Sequence, residues 1–456
     1  MRKGRGLLKL IDAVSPLDDR YYDEVKDLGQ IFSERSLFYY RLYIESYYLK
    51  ALCEKGIINE GCHDYDPEIV LKSLRDGWYE EIKIKEKETG HDVKATELFL
   101  RKHLLSLGYE KLAPLVHLAL TSEDVNANAY GLMIEKGKIK LLKCYLALAL
   151  KVSEVSASTA NKVILGRTHG VPAVPTTFGK ELSYFGQRVL EVSERILSVK
   201  PYGKLSGAVG SFNSFYFLNE SVDWIKFSKE FIKMIGLEPP KITKQNPLWD
   251  NAARILQEIA MVNSIMKEMA QDLWLYNSLG IIRFKRKGVG SSTMPHKVNP
   301  VDLEDAEGQC EISNSLLNAI IYEPLSSRLQ RDLSDSTVRR NLGVAIAHSY
   351  LACRRILRAL DSFEFVGEDV DAHYETLSEP LQVAFKMAGD LKAYERVFEN
   401  LENIKELALG LPPGIREKFS NLKPSSYKGL SERLALKIAK EIKESAEKML
   451  KELDGD

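Results

Sequence analysis

Residues 256–276 read LQEIAMVNSIMKEMAQDLWLY. Leu256, Ile259, Val262, Met266, Met269, Leu273 and Tyr276 recur at steps of three and four, the spacing that lines one face of an α-helix. No proline interrupts the chain between Pro247 and Pro295, between Pro114 and Pro172, or between Pro324 and Pro380. Proline-free stretches of this length permit long helices, because nothing removes a backbone donor or clashes with the preceding turn. A second apolar stripe runs through 124–160, with Ala129, Leu132, Ile139, Leu142, Leu146 and Leu150, and a third through 341–360. Strand signals are thin. The pattern predicts an all-α fold in which long helices pack lengthwise. A stripe this long usually continues into a subunit interface, so oligomerisation is expected. Three segments are expected: 1–112 with short helices, 113–362 with the long-helix bundle, and 363–456 as a smaller helical cap ending in an amphipathic helix near Ser431–Leu453.

The chain has 456 residues, with 64 Lys plus Arg against 64 Asp plus Glu. Net charge near zero leaves no nucleic-acid footprint. Five scattered cysteines, odd in number and without a Cys-x-x-Cys spacing, argue against a disulfide framework and for a reducing compartment. The apolar run near the start is broken by Lys9 and Asp12, and no stretch approaches the roughly 20 apolar residues of a membrane span. A cytoplasmic protein with no membrane partner is expected.

Chemistry concentrates in a few polar stretches. The richest is Gly290-Ser291-Ser292-Thr293-Met294-Pro295-His296-Lys297-Val298-Asn299-Pro300. Its prolines exclude a helix interior, and its density of donors suits an anionic ligand. Gly166-Arg167-Thr168-His169-Gly170-Val171-Pro172 reads as a junction between helices, where a His either caps carbonyls or does chemistry. Thr121-Ser122-Glu123-Asp124 follows His117. Hydroxyl followed by acid is a helix start, and a helix start also offers N–H groups to an anion. His91-Asp92-Val93-Lys94 alone would pass as a surface pair. The eight histidines include no His-x-x-x-His pair, so a zinc hydrolase site is unsupported. Ser291 lacks the Gly-x-Ser-x-Gly elbow, and Gly203 to Gly210 carries its lysine on the wrong side for a phosphate-binding P-loop.

The wording and order of these motifs, together with Val14 to Tyr21 and the block from Gln330 to Asn341, resemble the adenylosuccinate lyases of the aspartase/fumarase superfamily along nearly the whole chain. The resemblance implies a three-domain all-α subunit and a homotetramer whose active sites combine clusters from three subunits; no metal or organic cofactor is required by the chemistry, and none is signalled. It implies anti elimination of fumarate from two succinylated purine-pathway nucleotides, adenylosuccinate and succinylaminoimidazole carboxamide ribotide. An argininosuccinate or small-dicarboxylate lyase of the same superfamily is the competing reading. Arg20, Arg331 and Arg340 weigh against it, because a small dicarboxylate needs fewer distant cations.

By the same resemblance Ser291, in the signature loop 288–300, is the base at carbon and His169 the acid at nitrogen. Lys297 supplies charge, and Glu304 orients the catalytic His. Lys297, Asn299, Thr121 and Ser122 are expected on the succinyl end. Arg20, Tyr21, Arg331, Ser336 and Arg340 are expected on nucleotide and phosphate. His91, Asp92, His117 and Gln245 complete the expected site. Asp305 puts an extra carboxylate beside an anionic substrate, which is unfavourable unless it is paired or turned away. The signature loop is expected to close over the ligand.

Overall fold

The computed structural model describes residues 13–285, 294 and 296–455. Gly288, Gly290 and Ser291 therefore lie outside the described residues. The chain forms two compact units: residues 1–142, 194–261 and 311–351 in the first, and 143–193, 262–310 and 352–456 in the second.

Helix dominates. The helices that matter below are α1 (Tyr22–Phe32), α2 (Glu34–Glu54), α3 (Trp78–Thr89), α4 (Asp92–Ser106), α5 (Ser122–Ser158), α6 (Phe178–Leu197), α7 (Trp224–Met234), α8 (Asp250–Ser278), α9 (Val301–Tyr322), α10 (Ser334–Arg339), α11 (Leu342–Leu360) and α12 (Ser431–Gly455). The 37 residues of α5 extend about 55 Å at the usual rise. Leu256, Ile259, Val262, Met266, Met269 and Leu273 are all buried along α8, as their spacing requires. Along α12 the buried apolar residues are Ala435, Ala439, Ile442, Ala446, Met449 and Leu453. Steps of four and three leave its charged residues on the opposite face.

The first unit is centred on α2. Ile44 and Tyr48 of that helix share a core with Val125 and Ala129 of α5 and with Phe227 and Phe231 of α7. The Tyr48 ring meets the edges of Phe215, Phe227 and Phe231, and its hydroxyl donates to the Leu118 carbonyl at 3.0 Å. Gly137, in mid-α5, explains itself by contact: a Cβ there would lie 2.2 Å from the Phe32 ring. The helix gives up propensity so that α1 can close against it.

Two short antiparallel two-stranded sheets, the first of them a hairpin, were not legible in the sequence. In the second unit β1 (Val163–Thr168) pairs with β2 (Val171–Thr177), and β3 (Ile282–Phe284) pairs with β4 (Phe363–Phe365). His169 and Gly170 form the two-residue turn of the first hairpin, with φ of 55° and 78°, the positive values that such turns demand. The junction between α5 and α6 is thus built as a β-hairpin. Its two prolines, Pro172 and Pro175, masked the strand signal, yet a two-stranded ribbon tolerates them because neither strand is central.

The cysteine reading needs a correction. Cys53 and Cys62 form a disulfide with Cα atoms 5.5 Å apart. The chain turns back between them through Gly56 and Gly61, both at positive φ, and a count of cysteines is blind to such a turn. Cys144, Cys310 and Cys353 are unbridged and buried in the second unit. Among the described residues no helix is long and apolar enough to cross a membrane.

Candidate active site

The first unit contains a cavity of about 440 Å³ built from segments far apart in sequence. The start of α4 contributes His91 and Asp92, the start of α5 contributes Thr121, Ser122 and Glu123, and the α10 region contributes Arg331, Ser336, Arg339 and Arg340. Gln245 closes one side. Each segment is held by a specific device.

At α4, the His91 ring Nδ1 accepts from the Lys94 backbone N–H at 3.3 Å, so the residue also caps the helix. Asp92 accepts from the Arg41 Nη2 at 2.6 Å and from Arg340 at 3.4 Å. Burial raises the Asp92 pKa, but the Arg41 guanidinium outweighs it and holds the carboxyl below its ordinary value.

At α5, the capping group is a carboxylate rather than a hydroxyl: Asp124 accepts from Thr121 N–H at 2.9 Å. Asp124 and Lys204 form a fully buried ion pair. The same carboxylate also accepts from the backbone N–H of Ser206 and Gly207. This ties the 203–210 loop to the start of α5. That loop is a structural clamp, and Gly210 serves it: at φ of +80°, a Cβ there would lie 2.1 Å from the Thr243 carbonyl. The close approach leads the chain directly into Gln245.

His117 sits behind this start, in a left-handed conformation with φ of 66°. Its backbone N–H donates to Glu45 at 3.0 Å, and its ring Nδ1 bonds the other oxygen of the same carboxylate. Burial works against the imidazolium, yet Glu45 prevails and the His117 pKa is raised. The residue supports the Thr121–Ser122 turn and does not line the cavity.

The α10 region carries a buried network. Arg331 donates to Asp335 at 3.0 Å, to Glu123 at 3.1 Å and to Asn246 at 2.9 Å. Arg339 reaches Glu123 at 3.3 Å and Asp335 at 2.5 Å, with its guanidinium 4.9 Å from the Tyr130 ring centroid. Burial raises the Glu123 pKa, but Arg339 and Arg331 pull it below its ordinary value. Two guanidiniums and two carboxylates neutralise one another, leaving Arg340, 47% exposed, as the accessible cation among the described residues that line the cavity.

Arg20 and Tyr21 precede α1 and do not line this cavity. Arg20 lies over the Tyr21 ring at 5.8 Å. The remaining expected residues belong to the second unit. His169 is exposed at the tip of the β1–β2 hairpin. Glu368 holds the base of that hairpin, accepting from Leu165 N–H at 2.7 Å and from Arg167 at 2.6 Å. On α9, Glu304 accepts from the Trp274 indole N–H at 3.2 Å. Among the described residues it makes no hydrogen bond to His169. Lys297 is exposed and Asn299 half-buried just before α9. Asp305 is turned to Arg355 and Gln309. Burial raises its pKa, but those two partners hold it down, so the extra carboxylate is paired.

Arg41, Glu123, Asn126 and Arg339 are cavity residues that the sequence reading passed over. A signal existed: Arg41 and Glu45 fall on the buried face of α2, among Phe38, Leu42, Ile44 and Tyr48. Charge embedded in an apolar stripe rarely survives without a partner and a purpose.

The sequence matches the family model described as lyase over residues 19–312. It matches the model described as adenylosuccinate lyase C-terminal over residues 327–427. The chain belongs to the adenylosuccinate lyase family. It is a lyase of the fumarase/aspartase superfamily. It is similar to the adenylosuccinate lyase of Legionella pneumophila (strain Corby), at 35% identity over 449 residues that cover 94% of this chain and 98% of the relative. The adenylosuccinate lyase of Escherichia coli (strain K12) is 33% identical, covering 92% and 97%. Solved structures agree on the fold. A fumarate lyase from Mesorhizobium sp. BNC1 superposes with a TM-score of 0.76 at 16% identity over 91% of this chain and 97% of that one. The 3-carboxy-cis,cis-muconate lactonizing enzyme from Pseudomonas putida gives 0.74 at 18% identity, covering 94% and 100%.

Proposed function

We propose that this adenylosuccinate lyase family member eliminates fumarate from adenylosuccinate, giving AMP, and from succinylaminoimidazole carboxamide ribotide, giving the free carboxamide ribotide. The observation that carries the reading is the cavity of the first unit. It gathers His91, Thr121, Ser122, Gln245, Arg331, Ser336 and Arg340, and it pairs a helix start with a half-exposed guanidinium. The α5 start suits a carboxylate, and Arg340 suits a phosphate, whose oxygens match its donor fork.

The chemistry makes three demands. A proton must leave the carbon beside a carboxylate, and the dianion so formed must be neutralised. The departing nitrogen must gain a proton. Ser291 removes the proton from carbon, and His169 delivers one to nitrogen. Its place at an exposed hairpin tip leaves the imidazole available to a ligand. Lys297, Asn299, Thr121 and Ser122 stabilise the aci-carboxylate, while Arg331, Ser336, Arg340, Arg20 and Tyr21 hold the nucleotide. His91, Asp92 and Gln245 shape the pocket around it, and His117 supports them from behind. Glu304 orients the catalytic His. The working form is a homotetramer in which clusters from different subunits meet, in the cytoplasm, with fumarate and the nucleotide as products. The three-segment division at about 112 and 362 belongs to the same reading, with the middle segment as the shared bundle.

The test is absorbance of the substituted purine on mixing with adenylosuccinate, with argininosuccinate as control. Loss of the signal with equimolar fumarate and no turnover of the control is expected. Fumarate from argininosuccinate alone would overturn the substrate assignment.

A further inference from the structure

We infer that Arg41 is a positioning residue that fixes the two cavity cations, Arg331 and Arg340, relative to each other. The inference rests on the functional reading above, in which those cations hold the nucleotide.

Arg41 lies in mid-α2 with 2% of its side chain exposed, and it lines the cavity. Its guanidinium makes two hydrogen bonds that diverge. Nη2 donates to Asp92 Oδ2 at 2.6 Å, and Nε donates to Asn126 Oδ1 at 2.9 Å. The third nitrogen, Nη1, is buried and has no partner among the described residues, so these two bonds and the Phe38 ring at 4.9 Å anchor the group.

Each bond starts a chain that ends on a cation. Asp92 Oδ2 also accepts from Arg340 Nη2 at 3.4 Å. Asn126 Nδ2 donates to Glu123 Oε1 at 3.2 Å, and that oxygen accepts from Arg331 Nη2 at 3.1 Å. One buried guanidinium therefore connects the start of α4, the start of α5 and the α10 region. A rigid fork with donors in two directions performs this; an ammonium on a flexible stem does not fix both angles.

The arrangement also sets a competition. Asp92 is shared by a buried guanidinium with a short bond and an exposed one with a long bond. While Arg41 satisfies Asp92, Arg340 is only loosely held and free to meet a phosphate. Without Arg41, the Asp92 carboxylate has Arg340 as its remaining guanidinium partner and draws it away from the ligand.

The experiment compares wild type with Arg41→Gln, Arg41→Lys and the double variant Arg41→Gln/Asp92→Asn. KM and kcat are measured on adenylosuccinate, and Kd for AMP by calorimetry. In Arg41→Gln, KM and the AMP Kd should rise about tenfold or more, the scale of a lost charge-assisted bond, while kcat falls less than about threefold. Arg41→Lys keeps the charge but not the fork and should fall between. Removing Asp92's charge should bring the AMP Kd of the double variant at least threefold back toward wild type. A residue that only stabilised the fold would give no such recovery. If Arg41→Gln fails to fold, Asn126→Ala cuts one chain without leaving a buried charge unpaired, and its AMP Kd should rise at least threefold. A wild type that turns over adenylosuccinate and binds AMP, with Arg41→Gln (or, where that does not fold, Asn126→Ala) binding AMP within twofold of it, would overturn this inference alone. A wild type that neither turns over adenylosuccinate nor binds AMP would overturn the functional reading, and this inference with it.

Discussion

Neutralising Glu123 should cost far more than losing one hydrogen bond, and the cost should vanish in large part when Arg339 is neutralised with it. Glu123 is 4% exposed and Arg339 2% exposed. The four-group network of Arg331, Arg339, Glu123 and Asp335 carries two positive and two negative charges. Glu123→Gln preserves shape and one acceptor but leaves one buried positive charge in excess. Breaking a buried pair by removing one partner costs about 3–5 kcal/mol, most of it the desolvation of the charge left behind. Arg339→Met leaves the opposite excess, together with lost packing against Tyr130, and should cost a similar amount. In the double variant Arg331 keeps both oxygens of Asp335, and the network is again neutral. Replacing a buried pair by apolar groups of similar volume is close to neutral; the double has Met in place of one member and, in place of the other, an uncharged Gln that can still accept from Arg331, so it should lose less than about 2 kcal/mol. The expected coupling is then at least about 4 kcal/mol, well above the few tenths expected of independent sites. Urea midpoints at one protein concentration give the three differences, with the slope checked for constancy. Additive costs would refute the reasoning, since they would mean that water reaches the cluster and screens its members from one another.

Other outcomes can be checked alongside. His169→Ala and Ser291→Ala should each lower turnover by several orders of magnitude while circular dichroism and assembly stay unchanged; full activity in either would remove it from the mechanism. Asp272, half-buried on α8, has its pKa raised to about 6 by burial and by Glu268 and Glu181. A carboxyl raised above its unfolded value destabilises the fold once ionised. The penalty is absent below the unfolded pKa, grows as pH rises toward 6, and is complete above it. Discounted for its exposure, it is about 1–2 kcal/mol. Asp272→Asn should therefore raise the melting temperature at pH 8 and leave it unchanged near pH 3.5, and a gain of equal size at both pH values would point to packing instead.

The long helices were legible because burial repeats: every third or fourth residue of α8 must be apolar, and one window of sequence contains the whole signal. The β1–β2 hairpin was hidden because its prolines speak against strands, while the fact that permits them, the absence of a third strand, is not local. The clusters at 91–94, 121–124 and 331–340 were recognisable as motifs, and the first unit brings them to one cavity. Their supports were harder to see. Lys204 lies 80 residues from its partner Asp124, and Glu45 lies 72 from His117. A charge reads as a surface group until the residue that neutralises it is in view.

That difficulty bears on how such a cavity is built. A pocket for a multiply charged ligand needs cations, yet cations crowded without counter-ions would repel one another and loosen the elements that carry them. Here Arg331 and Arg339 are neutralised by Glu123 and Asp335, and Arg41 is committed to Asp92 and Asn126. Among the described cavity cations, only Arg340 has no partner closer than 3.4 Å, its two carboxylates standing at 3.4 Å and 3.7 Å. The buried charges therefore do not add attraction for the ligand so much as fix where one loosely held cation stands. Stability is lost to their desolvation, and geometry is gained, because a guanidinium buried between two carboxylates has few other places to go. Replacing the interior network with apolar residues could thus leave a fold of equal stability while the angle between Arg340 and the start of α5 drifts. On the proposed function, it is that angle, rather than the net charge of the pocket, on which recognition of a nucleotide bearing a phosphate at one end and carboxylates at the other would depend.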